Sequence, residues 1–173
     1  MRKNVFKLIA FSLMIFFAVA SCKKYEEGPS FTLLSVNKRL IGTWELKQAN
    51  VNGNEININE FLNSALTFIP DTIDIDVDSI TINYIRTKLN KDNTGLITFS
   101  GNVNMNGFNL PFNQSQQITW QLDDEKEKIT VTVNNETLES EIIKLTKKEL
   151  WLRNIESTNG ETTITISKYE KIE

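Results

Sequence analysis

From Leu40 onward the apolar residues of this chain recur at every second position, in short runs separated by Asn, Asp and Gly. A helix cannot gather such residues on one side, whereas a strand with one buried face does so automatically. The runs are Leu40, Trp44 and Leu46; Ile80, Ile82 and Tyr84; Ile97, Phe99, Val103 and Met105; Ile118, Trp120 and Leu122; Ile129, Val131 and Val133; Leu150 and Leu152; and Ile164 and Ile166. Between them fall Asn52-Gly53, Asn93-Thr94-Gly95, Asn106-Gly107, Asp123-Asp124-Glu125, Asn134-Asn135 and Asn159-Gly160. Asn and Gly accept the positive φ that tight hairpin turns demand. The pattern predicts an all-β fold, an antiparallel meander of about eight strands with one or two short helices. A meander must hide its edges, and closing into an up-and-down barrel removes them altogether. A two-sheet β-sandwich has the same periodicity and stays open as the alternative. No repeat with a period of 20 to 50 residues is visible, which argues against a propeller or solenoid.

Two segments depart from the alternation. Ile58, Phe61, Leu62, Ala65 and Leu66 follow helical spacing, with Asn57 and Glu60 placed to cap the start and Pro70 to stop the continuation. Such a helix lies across one end of a barrel, as a lid over a cavity or as a plug of the core. A second short helix is expected within Leu33 to Leu40.

The amino-terminal end has a different character. Arg2, Lys3 and Lys7 precede an apolar run from Leu8 to Ala20. Thirteen helical residues rise only about 20 Å, short of a hydrocarbon core of roughly 30 Å, so residues 1–21 read as an export signal and not as a membrane span. Val19-Ala20-Ser21-Cys22 resembles the bacterial lipobox. That resemblance implies cleavage before Cys22, diacylglycerol on its sulfur, and a membrane partner held through this covalent lipid. Residues 22–30, rich in Lys and Glu with Gly28-Pro29, read as the lipidated Cys and a flexible tether, and residues 31–173 as one domain. Lys23 and Lys24 occupy the positions where an aspartate commonly retains such lipoproteins at the inner membrane, so the outer membrane is expected. Its periplasmic face and the cell surface both remain open, Glu26-Glu27 loosely resembling acidic surface-export tags.

Leu40-Ile41-Gly42-Thr43-Trp44-Glu45-Leu46 resembles the opening of lipocalin and lipocalin-like lipoprotein domains. In that family a Gly-x-Trp closes one end of the barrel with the indole over its base. The resemblance extends to the late Lys148-Glu149-Leu150-Trp151-Leu152 strand and the closing strand at Lys168-Tyr169. It implies a lipocalin-like β-barrel able to hold a small apolar or amphipathic molecule. Family members usually pair the Trp with a late Arg. This chain has none after Arg153, which leaves Lys168 or Lys171 for that place.

Composition then removes most chemistry. His is absent and Cys22 is the single cysteine, so imidazole bases, Cys-His catalysis, Cys/His zinc sites and internal disulfides are excluded. Sixteen basic against twenty-two acidic residues remain once Arg2, Lys3 and Lys7 leave with the signal, a net charge of −6 that argues against nucleic acid. Asp74, Asp76 and Asp78 resemble the start of a calcium loop, but Ser79 and Ile85 stand where its Gly and bidentate Glu belong, and a charged strand face fits the alternation better. A phase slip near Asp78-Ser79 points to a bulge. Glu136, Glu139 and Glu141 are the available carboxylates for acid–base work, with nothing in their spacing to define a cleft. Trp151 lies out of phase with Leu150 and Leu152, so either it or the leucines face outward. The expectation is a non-enzymatic binding module without cofactor or metal. Trp44, Phe99 and Trp120, with Phe61 and Leu62 of the helical segment, are the candidate ligand-binding residues. The competing expectation is an envelope interaction or structural lipoprotein whose solid barrel docks a protein or glycan on its outer surface.

Overall fold

Hairpin turns with left-handed backbone join the strands where the Asn-Gly and Asn-Asn pairs anticipate them. Asn52 and Gly53 (φ 51° and 84°), Asn106 and Gly107 (50° and 78°), and Asn134 and Asn135 (49° and 69°) supply three, and Gly160 (85°) belongs to a fourth. This computed structural model describes residues 24–29, 33–57, 79–158 and 160–173. The signal segment with Cys22, the predicted helix carrying Phe61 and Leu62, and the acidic run containing Asp74, Asp76 and Asp78 lie outside the described residues. Among the described residues, no helix is long and apolar enough to cross a membrane.

Among the described residues, one short helix, α1 (Val36–Leu40), precedes nine strands: β1 (Gly42–Val51), β2 (Asn54–Ile56), β3 (Ser79–Leu89), β4 (Thr94–Met105), β5 (Phe108–Leu122), β6 (Lys128–Val133), β7 (Glu136–Leu145), β8 (Glu149–Thr158) and β9 (Glu161–Lys171). From β3 to β9 each strand pairs antiparallel with the next. The sheet closes because one edge of β1 pairs with β9, from Trp44↔Lys171 to Val51↔Thr165. The other edge is divided, Gly42 to Glu45 pairing with β3 and Ala49 to Val51 with the short β2. The result is a closed barrel of eight antiparallel strands with β2 as an appended hairpin arm. The sandwich alternative is thereby overturned, since its two sheets would leave β1 and β9 unpaired.

Closure sends alternate side chains inward, and three bulges reset the phase. In β3 the register shifts between Ile82 and Tyr84. Ile82 and Ile85 therefore both face the core, while Tyr84, expected to share the face of Ile80 and Ile82, turns outward beneath the Arg86 guanidinium at 3.8 Å. The other shifts lie at Leu46/Gln48 in β1 and Ile142/Lys144 in β7.

The core gathers at one end, where α1, the β3–β4, β5–β6 and β7–β8 connections and the carboxyl terminus meet. Ser35 caps α1 by accepting from Lys38 N–H, which starts the helix later than the expected Leu33. Leu40 and Trp44 are fully buried against Leu145, Ile129 and Leu150. The Trp44 indole N–H donates to Leu40 O at 2.7 Å. Of the two lysines that the sequence leaves for the place beside Trp44, Lys171 takes it. Its Nζ lies 4.8 Å from the indole centroid and donates to Arg39 O (2.7 Å) and Ile41 O (2.5 Å), carbonyls at the end of α1 that have no helical partner. Burial alone pulls the Lys171 ammonium below the usual lysine range; the two carbonyls and the indole face favour its charged form. Gly42 permits the approach: at φ 138° it carries no Cβ, which would stand 2.5 Å from Glu173 O and 2.7 Å from Lys171 Cε. Lys168 instead lies outside the barrel, 4.5 Å from the Trp151 ring.

The amino-terminal residues Lys24 to Glu27 dock at the same end. Tyr25 is 3% exposed and belongs to the core with Val36, Leu40 and Leu145. Its hydroxyl donates to Lys126 O at 2.9 Å, and the Arg39 guanidinium lies 5.7 Å from its ring. Glu27 N–H donates to Ile143 O at 2.7 Å, Glu26 pairs with Arg153 at 2.9 Å, and Lys24 Nζ reaches Glu125 O at 2.5 Å. Arg39 is itself buried, donating to Leu145 O.

Two outcomes follow from this end of the barrel. Lys171→Met keeps the aliphatic stem but removes the charged donor, and is expected to lower unfolding stability in urea by about 2 kcal/mol. Burial pushes the Tyr25 phenol up to about 12 from its ordinary value of 10.0. The unfolded chain therefore releases this proton first, and the hydroxyl's contribution, fully present below the unfolded pKa, is lost as pH rises through the folded one. The stability difference between the natural chain and Tyr25→Phe should be flat up to about pH 10 and shrink between 10 and 12, as read by denaturant titrations at fixed pH.

Candidate ligand cavity

Above the packed end the barrel does not fill. A cavity of about 460 Å³ runs from the Trp44 floor toward the opposite end, where the β1–β2, β4–β5, β6–β7 and β8–β9 turns lie. Inward residues of β1, β3, β4, β6, β7, β8 and β9 line it. The lower wall is apolar: Leu46, Ile85 and Leu89 face Ile97 and Phe99 on one side and Ile129, Val131, Leu150 and Leu152 on the other. A volume of this size falls within the range of small-molecule sites.

The wall formed by the outer halves of β7, β8 and β9 is polar. Ser140, Asn154, Glu156, Thr165 and Ser167 point into the cavity. Their phase follows from the register, Leu150↔Tyr169 and Leu152↔Ser167 placing Asn154 opposite Thr165 on the same inner face. Ile164 and Ile166, the apolar members of the sequence pattern there, consequently face outward; Ile164 is 38% exposed and its cross-strand partner Ile155 59%. The buried Ser140 hydroxyl donates to Asn154 Oδ1 (2.9 Å), and Asn154 Nδ2 donates to Glu139 O (3.0 Å), which fixes the amide. Tyr169 stands between the two regions. Burial pushes its phenol pKa up, and its hydrogen bond with Ser167 opposes that shift.

The sequence candidates divide accordingly. Trp44 and Phe99 line the cavity. Trp120 is not among the lining residues; its indole N–H donates to Thr94 O (3.0 Å) and Asn90 O (3.2 Å), holding the ring beneath the floor as part of the closed-end core. Phe61 and Leu62 lie outside the described residues. Trp151 faces out between Lys144 at 4.2 Å and Lys168 at 4.5 Å, with Leu150 and Leu152 inward. The polar wall is what the sequence pattern conceals, since apolar residues mark the outer face of β9.

Electrostatics separates the two ends. No Lys or Arg occurs in the described residues of the mouth half (49–57, 79–83, 100–115, 131–139, 154–158 and 160–166), whereas Glu55, Glu136, Glu139, Glu156 and Glu161 do. Glu139 and Glu141 are directed to the outer wall and pair with Lys128 at 2.6 Å and Arg153 at 3.0 Å. With Glu136 they form no convergent acid–base set. Among the described residues no group of three or more Cys, His, Asp or Glu side chains is arranged to hold a metal ion.

No protein-family model matches the chain, and no curated protein matches it either. Solved structures do resemble it, and they are lipocalins. A bovine odorant-binding protein in complex with a selenium-containing odorant is 14% identical, covering 83% of this chain and 76% of that chain at a TM-score of 0.40. The odorant-binding protein OBP1 is 13% identical, with coverages of 81% and 76% and a TM-score of 0.41. A siderocalin described as functioning through dual ligand specificities is 8% identical, with coverages of 77% and 74% and a TM-score of 0.40.

Proposed function

We propose that the protein is an outer-membrane lipoprotein whose lipocalin-like barrel acts as a non-enzymatic binding module for one small apolar or amphipathic molecule. The observation that carries the reading is the cavity of about 460 Å³, apolar at its floor and polar along one wall. Such a void inside a barrel forgoes the packing that its lining residues would otherwise make, a cost that a bound apolar group offsets. The alternative, a solid barrel docking a protein or glycan, presupposes an interior packed to ordinary density, which this volume does not meet.

The lining sets the chemistry of the guest. An apolar body sits against Trp44, Leu46, Ile97, Phe99 and Leu152, and a polar group faces Ser140, Asn154 and Thr165 nearer the mouth. Glu156 at that level, with no basic residue among the described residues of the surrounding half, favours a neutral or cationic head over a carboxylate. The membrane address rests on Val19-Ala20-Ser21-Cys22 and on Lys23-Lys24 after it. Acylation at Cys22 by two or more chains holds a protein on a membrane for long periods, whereas one chain does so only marginally.

The binding reading is tested with N-phenyl-1-naphthylamine, a neutral probe whose emission rises in apolar surroundings. It should bind the natural domain, and Val131→Trp, which fills the cavity from β6, should weaken it by about tenfold, or ~1.4 kcal/mol, without loss of the folded state. Equal binding by the filled variant would place the probe elsewhere and defeat the reading. For the address, Cys22→Ala should move the protein from the membrane fraction to the soluble fraction.

A further inference from the structure

The docked amino-terminal residues restrict how a lipid-anchored form of this barrel can stand on a bilayer. Residues Glu27, Tyr25 and Lys24 trace a path from the side wall at Ile143 down to the turn between β5 and β6, where Tyr25 meets Lys126 O and Lys24 meets Glu125 O. That turn belongs to the closed end. At Lys24, the first described residue, the chain has thus reached the closed end, away from the mouth. Only Lys23 and Lys24 separate Cys22 from Tyr25, so the three Cα steps between them span about 11 Å at full extension. β9 is eleven residues long; at ~3.3 Å per residue and a tilt of about 40° the barrel stands roughly 25 Å from floor to mouth. The tether is shorter than half that height. Tyr25 is fixed by burial, a hydrogen bond and the Arg39 guanidinium, so this short reach begins from a rigid point.

We propose that the closed end of the barrel is its membrane-facing surface, with the bilayer that holds the Cys22 lipid as its partner, and that the mouth opens away from that bilayer. This rests on the lipid-anchor reading above. Strongly exposed Leu33 and partly exposed Ile172 lie at this end, where apolar side chains contact the interfacial region of a bilayer. The cavity then exchanges its guest with the aqueous compartment, or with a protein reaching the mouth, and does not draw it directly from the leaflet carrying the anchor.

The test uses the full, acylated chain in vesicles of phosphatidylethanolamine and phosphatidylglycerol that contain a headgroup-nitroxide lipid. Lipidation consumes the only native thiol, so Lys147→Cys at the closed end and Glu161→Cys at the mouth each offer one site for a fluorophore; both positions are exposed. Quenching confined to the Lys147 probe supports the orientation. Equal quenching of the two probes, or stronger quenching at Glu161, overturns it while leaving the anchor intact. An intact mass without an acyl adduct on Cys22 overturns the anchor reading and the orientation together. A long Gly-Ser insertion between Lys23 and Lys24, which leaves the Tyr25 contacts in place, should abolish the contrast between the probes. A contrast that persisted would overturn the short tether as its cause.

Discussion

The ladder between β1 and β9 is the constraint from which the rest of the structure follows. Its seven residue pairs, from Trp44↔Lys171 to Val51↔Thr165, convert a sheet with two edges into a wall with an inside. Once an inside exists, the period-two alternation of each strand decides what it contains. The ladder also brings the last strand beside the first, which is how Lys171 comes to lie over Trp44 and how Ile172 N–H finds Thr43 O at 2.9 Å. The opposite edge of β1 needs only Gly42 to Glu45 to complete the ring through β3, leaving its outer half for β2.

The two ends of the barrel divide the physical work. At the closed end, α1, Tyr25, Trp44, Trp120 and Leu145 pack without leaving polar ring groups unpaired, the two indole N–H groups being bonded to Leu40 O and to the β3–β4 turn. Density there is what permits the emptiness above it. A void lined by Phe99 and Leu152 persists because the strands around it are held from below and by their ladders. Side chains in its outer part are tied to one another, as Ser140 is to Asn154, and do not fall inward.

Much of this was legible in the sequence, and the limits have identifiable causes. Turn positions were readable because Asn52, Asn106 and Asn134 meet a local steric demand that needs no tertiary context. Strand existence followed from alternation, although β7 was seen only as a set of glutamates and β2 not at all, being three residues long. The phase of β9 was concealed because the usual rule, apolar side inward, assumes a packed interior. Beside a cavity Thr165 and Ser167 can face in, and Ile164 and Ile166 then cover the outer wall. Tyr84 was misplaced by a one-residue shift at Ile82/Tyr84 that leaves no mark in composition. Lys24 to Pro29 resemble a linker because one apolar residue among charges carries no period; their docking depends on Lys126, Ile143 and Arg153, more than a hundred positions away. At the site, the floor residue Trp44 and the wall residue Phe99 were visible as large inward aromatics, while Trp120 carried the same signal and proved to belong to the floor's support.

The Asn-Gly hairpins that set the strand register also place the chain's most labile peptide units at one end of the molecule. Asn52 and Asn106 each precede a glycine with no side chain to hinder attack of its nitrogen on the amide carbon, the route by which asparagine spontaneously converts to aspartate and isoaspartate. Each such event adds a negative charge to a rim that already lacks any compensating cation among its described residues. Slow chemical ageing of this protein therefore alters the entrance of its chamber first and leaves the buried floor untouched.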